Sequence, residues 1–194
     1  MSNQKNFNSI ITVFGSARPV EGDEFYEEAQ KLGQELAKAG YVVCNGGYGG
    51  TMEASARGAK ESGGKTIGVV SEFFSIEPNL WIDKRIVVKS LTDRLMKLIS
   101  LADGYIVLKG GTGTLLEFAS VWEFMNKSVI EEKPVIVLGN FWNGVIDTLN
   151  RELMFEGKES CTKYIAVASS PRNAVEILQE RLTQKPAFST SKSV

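Results

Sequence analysis

The stretch YIVLKGGTGTLLE occupies residues 105–117. Its apolar start, Tyr105 to Leu108, is typical of a buried strand, and apolar residues recur at helical spacing from Leu115 to Met125. The glycines between the two predict a strand-to-helix turn, where a ligand can approach the backbone closely. The first N–H groups of a helix have no intrahelical partners, so such a turn favours an anion, phosphate above all.

The predicted ligand-binding residues of this turn are Gly110, Gly111, Thr112, Gly113 and Thr114.

Glu117 lies about one turn into the predicted helix. A phosphate site gains nothing electrostatically from a nearby carboxylate, which makes Glu117 a candidate for chemistry. The structural interpretation is a capping box, in which Thr114 caps the helix and Glu117 bonds back to it. The two interpretations are compatible, and both stay open at this point.

Composition limits the possible chemistry. The chain has 194 residues, 43% hydrophobic content and a net charge of -1, which is typical of one globular domain and lacks the basic excess of a nucleic-acid-binding surface. There is no histidine, so imidazole catalysis and histidine metal ligation are excluded. Cys44 and Cys161 are too few and too far apart for a metal site. We expect neither a metal nor a cofactor.

No apolar run reaches the length of a membrane span, and the polar segment Met1–Asn6 lacks the apolar core of a signal peptide. We therefore expect a cytoplasmic protein with no membrane partner.

Strand patterns alternate with helix patterns along the whole chain. The predicted strands are Asn8–Phe14, Tyr41–Cys44, Thr66–Val70, Arg85–Val88, Tyr105–Leu108, Lys133–Leu138 and Tyr164–Val167. The predicted helices are Asp23–Ala39, Ala54–Lys60, Leu91–Leu101, Leu115–Met125, Trp142–Met154 and Pro171–Leu182. This order predicts an α/β fold, a Rossmann-like doubly wound and mostly parallel sheet of about seven strands with helices on both faces. We predict one nucleotide-binding domain, 1–184, and a polar, disordered tail, 185–194.

Details of three segments extend this prediction. The helix Leu91–Leu101 is predicted to bury Leu91, Leu95, Leu98 and Ile99 and to leave Arg94 on another side. Small residues in 54–59 predict a helix very close to the sheet. The segment 71–84 has no clear period and contains Phe73, Phe74 and Trp81, which fits either a lid over a site or a packed connection.

Two further glycine turns follow predicted strands, at Gly15-Ser16-Ala17-Arg18-Pro19 and at 46–53. Parallel strands place their carboxyl ends on one edge of the sheet, so the three turns should converge on one pocket. Three such turns favour a nucleotide. The dinucleotide fingerprint GxGxxG is not met cleanly at any of them, which argues against NAD.

The segment Gly110–Glu117 matches the core of the PGGxGTxxE motif of the Lonely Guy (LOG) family. Gly15–Pro19, Gly46–Ala54 and the run from Asp93-Arg94 to Asp103 resemble the other landmarks of that family, in its order. The resemblance implies a homodimer that cleaves cytokinin-type or AMP-like purine nucleoside 5'-monophosphates into free base and ribose 5-phosphate. It implies that Arg94 and Glu117 are the catalytic pair.

The same resemblance adds the substrate-binding residues Gly15, Ser16, Gly46, Gly47 and Met52. The wider family also contains nucleotide-binding and molybdenum-cofactor carrier proteins, so a non-catalytic carrier or sensor is the alternative function.

Two positions depart from the family pattern. Lys109 stands where the motif has proline, and Leu95 follows the catalytic arginine where lysine is usual. Lys109 is a cation that could contact phosphate, whereas Leu95 removes one expected polar contact. Both changes bear on which substrate is used.

Overall fold

A computed structural model describes residues 9–184 of the chain. Its strands are β1 (Ile10–Phe14), β2 (Val42–Asn45), β3 (Thr66–Ser71), β4 (Lys84–Val88), β5 (Gly104–Val107), β6 (Val135–Leu138) and β7 (Ile165–Ala168). Its helices are α1 (Glu24–Lys38), α2 (Thr51–Glu61), α3 (Leu91–Leu101), α4 (Thr112–Asn126), α5 (Asn143–Phe155) and α6 (Pro171–Thr183). A 3-10 helix at Glu159–Tyr164, which the sequence pattern did not predict, precedes β7.

The seven strands form one sheet in the order β4-β3-β2-β1-β5-β6-β7. Every pairing between these strands is parallel. The Rossmann-like α/β prediction is confirmed, and the sheet is parallel throughout where a mostly parallel one was expected. The strand order reverses at β1, which pairs with β2 on one side and β5 on the other. The division into one domain and a tail stays a prediction, because 185–194 lie outside the described residues.

Both faces of the sheet are covered by helices. Alternate residues of β1 show this, because Ile11 and Val13 pack with α1, α2 and α6 while Phe14 packs with α3, α4 and α5. The same alternation holds on β5, where Ile106 belongs to the first face and Tyr105 to the second. Burial on both faces explains why these strands have continuous apolar sequences. No helix within 9–184 is long and apolar enough to cross a membrane.

Helix α3 has the predicted bounds and buries Leu98 and Ile99 as expected, with Leu95 packed against the core, but two of its residues differ from the prediction. Leu91 is 46% exposed, whereas Arg94 is 9% exposed. The prediction that Leu91 is buried and Arg94 is not was therefore wrong. It failed because helical periodicity assigns a charged residue to the solvent, whereas the Arg94 guanidinium finds polar and charged partners inside the protein.

Helices α1 and α2 approach each other closely at two glycines. A Cβ atom on Gly33 of α1 would overlap the carbonyl oxygen of Ser55, and one on Gly58 of α2 would overlap the carbonyl oxygen of Gln30. The small residues of α2 were expected to bring it close to the sheet, but its closest approach is to α1. This contact fixes the position of α2, which begins directly after the second glycine turn.

The substitution Gly33→Ala should push α1 and α2 apart. We expect it to lower the free energy of unfolding by roughly 1–3 kcal/mol, the usual cost of overpacking a close contact. The measurement is urea unfolding followed by circular dichroism. Gly144→Ala is the matched control, because a Cβ there meets no atom within 4 Å and should leave stability unchanged or slightly higher. Equal stability of the two variants would contradict the close contact.

Candidate functional site

The three predicted glycine turns meet at one cavity, at the carboxyl ends of the neighbouring strands β2, β1 and β5. The cavity has a volume of about 440 Å³. Its wall contains the following residues: Val13, Phe14, Gly15, Ser16, Ala17, Arg18, Gly46, Tyr48, Met52, Phe74, Ile76, Arg94, Gly111, Thr112, Gly113, Thr114 and Glu117. The position agrees with the rule that doubly wound sheets bind ligands where the strand order reverses.

The third turn ends at the start of α4. Gly111 is the N-cap residue and has no side chain, so no side-chain hydrogen bond caps this helix. The capping box predicted between Thr114 and Glu117 is therefore wrong: α4 begins at Thr112, before Thr114 could cap it. The N–H groups of the first turn stay available to a ligand. Thr112 and Gly113 are exposed at the cavity.

The second turn is held by Asn45, the fully buried last residue of β2. Its side-chain oxygen accepts the N–H of Gly47 at 2.8 Å, and its Nδ2 donates to the carbonyl oxygen of Met52 at 2.8 Å. Gly47 has φ of 76°, a conformation that disfavours side chains. Together these contacts fold the loop back onto the start of α2 and turn Met52 towards the cavity.

Arg94 reaches this cavity from α3. Its Nε donates to the carbonyl oxygen of Val69 in β3 at 2.9 Å, and its Nη2 lies 3.7 Å from the sulfur of Met52. The guanidinium also lies over the ring of Tyr48, 5.5 Å from its centre. A Cβ atom on Gly46 would overlap Nη2. The arginine therefore occupies space that only a glycine at position 46 leaves open.

A capping box fixes the start of α3. Ser90 Oγ accepts the N–H of Asp93 at 3.0 Å, and Asp93 Oδ2 accepts the N–H of Ser90 at 3.2 Å. Because the helix starts at a defined residue, Arg94 leaves it in a defined direction. Leu95, the departure from the family pattern, packs against the core and does not line the cavity.

Glu117 faces Arg94 across the cavity. The Arg94 Nη1 to Glu117 Oε1 distance is 3.9 Å, and the two side chains are 11% and 15% exposed. Burial raises the pKa of the Glu117 carboxyl to about 7, and the Arg94 charge opposes part of that rise. At neutral pH this carboxyl is thus close to half ionised, which is a state suited to proton transfer.

The connection between β3 and β4 forms one side of the cavity. Asn79 donates from its Nδ2 to the carbonyl oxygen of Tyr48 at 2.8 Å, and its N–H donates to that of Gly47 at 2.8 Å. Phe74 packs edge-on against Tyr48, with ring centres 5.6 Å apart. The exposed side chain of Ile76 also borders the cavity. The segment combines both expectations, since it is anchored by Asn79 and presents apolar side chains to the site.

The structure brings together most of the residues that the sequence predicted for the site. Gly15, Ser16, Gly46, Met52, Arg94, Gly111, Thr112, Gly113, Thr114 and Glu117 line the cavity. Gly47 and Gly110 do not. Gly47 is part of the second turn but does not border the cavity. Gly110 lies against the Thr114 side chain, where a Cβ atom would overlap Oγ1.

Seven cavity residues were absent from the predicted site: Val13, Phe14, Ala17, Arg18, Tyr48, Phe74 and Ile76. Arg18 and Tyr48 lie within the glycine turns, so position in those turns was an available signal. Phe74 carried the weaker signal of an aromatic residue in a long connection. No sequence feature indicates Ile76.

Lys109 points away from this cavity. Its ammonium lies over the Phe25 ring, 3.8 Å from the ring centre, and 5.4 Å from that of Phe141. It lines a second, adjoining cavity with Gly110. Phe25, in the first turn of α1, is half-buried beside Lys109, whereas its neighbour Tyr26 is buried in the core.

Within the part of the chain that the structure describes, no cluster of three or more His, Cys, Asp or Glu residues is arranged to hold a metal ion. Cys44 is buried in β2, and burial raises the pKa of its thiol to about 12, which makes it a poor nucleophile.

The parallel, doubly wound sheet places this chain among the Rossmann-like α/β proteins, with glycine turns and a buried Arg94–Glu117 pair at one cavity. The model of the SLOG cluster4 family matches residues 8–175, and the chain belongs to that family. The resemblance to LOG proteins is likewise confirmed. The chain is 30% identical over 150 residues to a cytokinin riboside 5'-monophosphate phosphoribohydrolase of Mycobacterium tuberculosis, which covers 71% of this chain and 79% of that protein.

A protein of the same name from Rhodococcoides fascians is 30% identical over 136 residues, which is 67% of each chain. Among solved structures, a molybdenum cofactor binding protein from Rippkaea orientalis is 28% identical with a TM-score of 0.70, covering 89% of this chain and 96% of that one. The proteins that this chain is similar to thus include named hydrolases and a named binding protein.

The raised pKa of Glu117 gives a test based on stability. A carboxyl that titrates at 4.5 in the unfolded chain and at about 7 in the folded one keeps its proton longer when folded. Its contribution to stability is complete below pH 4.5 and is lost as the pH rises through 7. The loss is on the order of 3 kcal/mol.

The free energy of unfolding of Glu117→Gln minus that of the unsubstituted protein should therefore increase by roughly 2–3 kcal/mol as the pH rises from 5 to 8. Urea unfolding of both proteins at each pH measures this difference and cancels the other titrating groups. Parallel pH dependence of the two proteins would show that Glu117 is an ordinary hydrated carboxylate.

Proposed function

We propose that this protein hydrolyses the N-glycosidic bond of a purine nucleoside 5'-monophosphate, either AMP-like or cytokinin-type, to free base and ribose 5-phosphate. The observation that carries the proposal is the buried Glu117 carboxyl, whose pKa is raised to about 7 beside Arg94. The names of the hydrolases that are 30% identical to the chain support the same reaction.

The 5'-phosphate is assigned to the start of α4. The N–H groups of Thr112, Gly113 and Thr114 and the two threonine hydroxyls supply donors, and the helix dipole favours a negative charge there. Ser16 of the first turn borders the same cavity. This places the phosphate within about one helical turn of Glu117, so the ribose attached to it can reach the carboxylate.

Cleavage of the bond builds positive charge on the ribose. The ionised Glu117 carboxylate stabilises that charge and accepts a proton from the attacking water. The water oxygen bonds to C1', the bond from C1' to the purine nitrogen breaks, and the released base takes up a proton. The buried position strengthens the effect of the charge, because little water screens it.

We assign two roles to Arg94. It orients the Glu117 carboxyl, and it lowers the pKa of that carboxyl so that the ionised form is present at neutral pH. Its hydrogen bond to the Val69 carbonyl oxygen holds the guanidinium in place. At 3.9 Å it keeps the carboxyl pKa lower than burial alone would set it. Without that cation, Glu117 would be mostly protonated at neutral pH and unable to act as a base.

A non-catalytic binding protein is the second candidate function. The similarity to a molybdenum cofactor binding protein of Rippkaea orientalis favours it. In that case the same turns and helix start hold an anionic ligand, and Glu117 contributes only polarity. Both candidate functions use the same cavity, but only the first predicts that the bound nucleotide is hydrolysed.

The LOG resemblance also leads us to propose a homodimer. Leu91, Met96 and Leu116 on α3 and α4 are 46%, 41% and 51% exposed, which offers apolar surface for a second copy. Light scattering of the purified protein decides between monomer and dimer.

Incubation with AMP and with N6-prenylated AMP should release free base and ribose 5-phosphate, detected by chromatography and mass spectrometry. We expect Glu117→Gln to lower kcat by about 10²–10⁴-fold, the usual contribution of a positioned acid or base. Glu123→Gln, an exposed change on the same helix, is the matched control. Nucleotide binding without release of either base would favour the carrier function.

The rate should also depend on pH. Because the ionised carboxylate is the active form, kcat/KM should rise with a midpoint near the Glu117 pKa of about 7. Arg94→Gln should move the midpoint upward, since the opposing charge is lost, and Arg94→Lys should move it back. The second ionisation of the substrate phosphate, near pH 6, is common to all variants. An unchanged midpoint in Arg94→Gln would refute the assigned role.

A further inference from the structure

A second cavity adjoins the proposed active site. Its volume is about 290 Å³, and it is lined by Ser16, Arg18, Pro19, Asp23, Phe25, Lys109 and Gly110. Ser16 and Arg18 also line the first cavity. Both cavities therefore border the first glycine turn, at Ser16 and Arg18.

The second cavity carries a net positive charge. Its cations are Arg18 and Lys109, and its one carboxylate is Asp23. Asp23 Oδ2 already accepts the N–H of Val20 at 2.9 Å. Within residues 9–184, neither Arg18 nor Lys109 forms an ion pair with an acidic side chain. Two such cations facing one space favour an anion.

Lys109 is held in this direction by aromatic side chains. Its ammonium lies 3.8 Å from the centre of the Phe25 ring and 5.4 Å from that of Phe141. A cation over a ring face is attracted to it, yet its three N–H donors are not all used by such a contact. The ammonium remains able to donate to a phosphate oxygen from that position.

Consecutive residues of the chain line the two cavities. Lys109 and Gly110 line the second one, and the next residues, Gly111 to Thr114, line the first. A phosphate at the start of α4 therefore lies a few residues from Lys109. A second phosphoryl group attached to it would extend past Ser16 towards Arg18 and Lys109.

We propose that the second cavity is a subsite for a second phosphoryl group, so that the protein binds nucleoside 5'-diphosphates more tightly than monophosphates. The inference rests on the proposed function, which places the first phosphate at the start of α4. Lys109, which replaces the proline of the family motif, is the residue that gives this chain the preference.

Isothermal titration calorimetry with AMP and ADP tests the subsite. Glu117→Gln serves as the background for every variant, so that turnover does not disturb the titration. We expect ADP to bind about 5–10-fold more tightly than AMP, because a phosphate gains charge-assisted hydrogen bonds. Adding Lys109→Met should abolish that preference and change AMP affinity by less than about twofold, since the methionine keeps an unbranched stem over Phe25.

Lys31→Met is the matched control, because it removes one exposed charge from α1 outside both cavities. It should retain the preference for ADP. Pyrophosphate and phosphate, titrated in the same way, test the subsite without a base, and we expect pyrophosphate to bind more tightly.

Equal affinities for AMP and ADP would overturn the inference, as would a preference for ADP that survives Lys109→Met. Failure of both nucleotides and pyrophosphate to bind would also overturn it. The proposed hydrolysis is judged separately, by base release from AMP in the unsubstituted protein. An ADP preference lost in Lys109→Met supports the subsite even where no base is released.

Discussion

The burial of the Arg94 guanidinium is the constraint on which the site depends. A buried cation is costly unless charges and hydrogen-bond acceptors surround it. Here the carbonyl oxygen of Val69 in β3 accepts a hydrogen bond, and the Glu117 carboxylate of α4 supplies an opposite charge 3.9 Å away. The Tyr48 ring of the second glycine turn covers one face. A single side chain thus ties strand, helix and turn around the cavity.

The start of α4 and the Glu117 carboxylate lie close together but have opposite electrostatic character. The start of α4 offers N–H groups and favours an anion, whereas Glu117 is an anion held a short distance further along the same helix. Arg94 makes the two compatible, because it faces the carboxylate and leaves the helix start free. The raised pKa of Glu117 to about 7 shows that this compensation is incomplete. Burial of the Glu117 carboxyl therefore lowers the stability of the protein at neutral pH relative to acid pH.

Much of the fold could be predicted from the sequence, because a doubly wound sheet leaves a strong pattern. Strands such as Val135–Leu138 are buried on both faces and are apolar throughout, and the helices between them have apolar faces. The convergence of the glycine turns followed from topology alone. The helix starts were predicted less well, because α2 and α4 begin at threonines after glycine and so lack apolar periodicity in their first turns.

The features that could not be predicted depend on contacts between distant residues. A Thr-x-x-Glu pattern suggested a capping box at α4, whereas the capping box in the structure lies at α3, between Ser90 and Asp93. A capping box requires its first residue to stand immediately before the helix. Local sequence alone does not determine the residue at which each helix begins. The direction of Lys109 depends on Phe25 and Phe141, both far from it in the chain. Arg94 was implied by family resemblance, and its burial by nothing in the local sequence.

The contact between Gly46 and Arg94 limits which residues can occur at these two positions. The volume that any side chain would occupy there is already filled by the Arg94 guanidinium. A mutation at either position therefore changes what the other can tolerate: a larger residue at 46 is admissible only beside a shorter one at 94. The two positions are therefore expected to change together, although they lie on separate elements, whereas Ile76, whose side chain is exposed, can change alone.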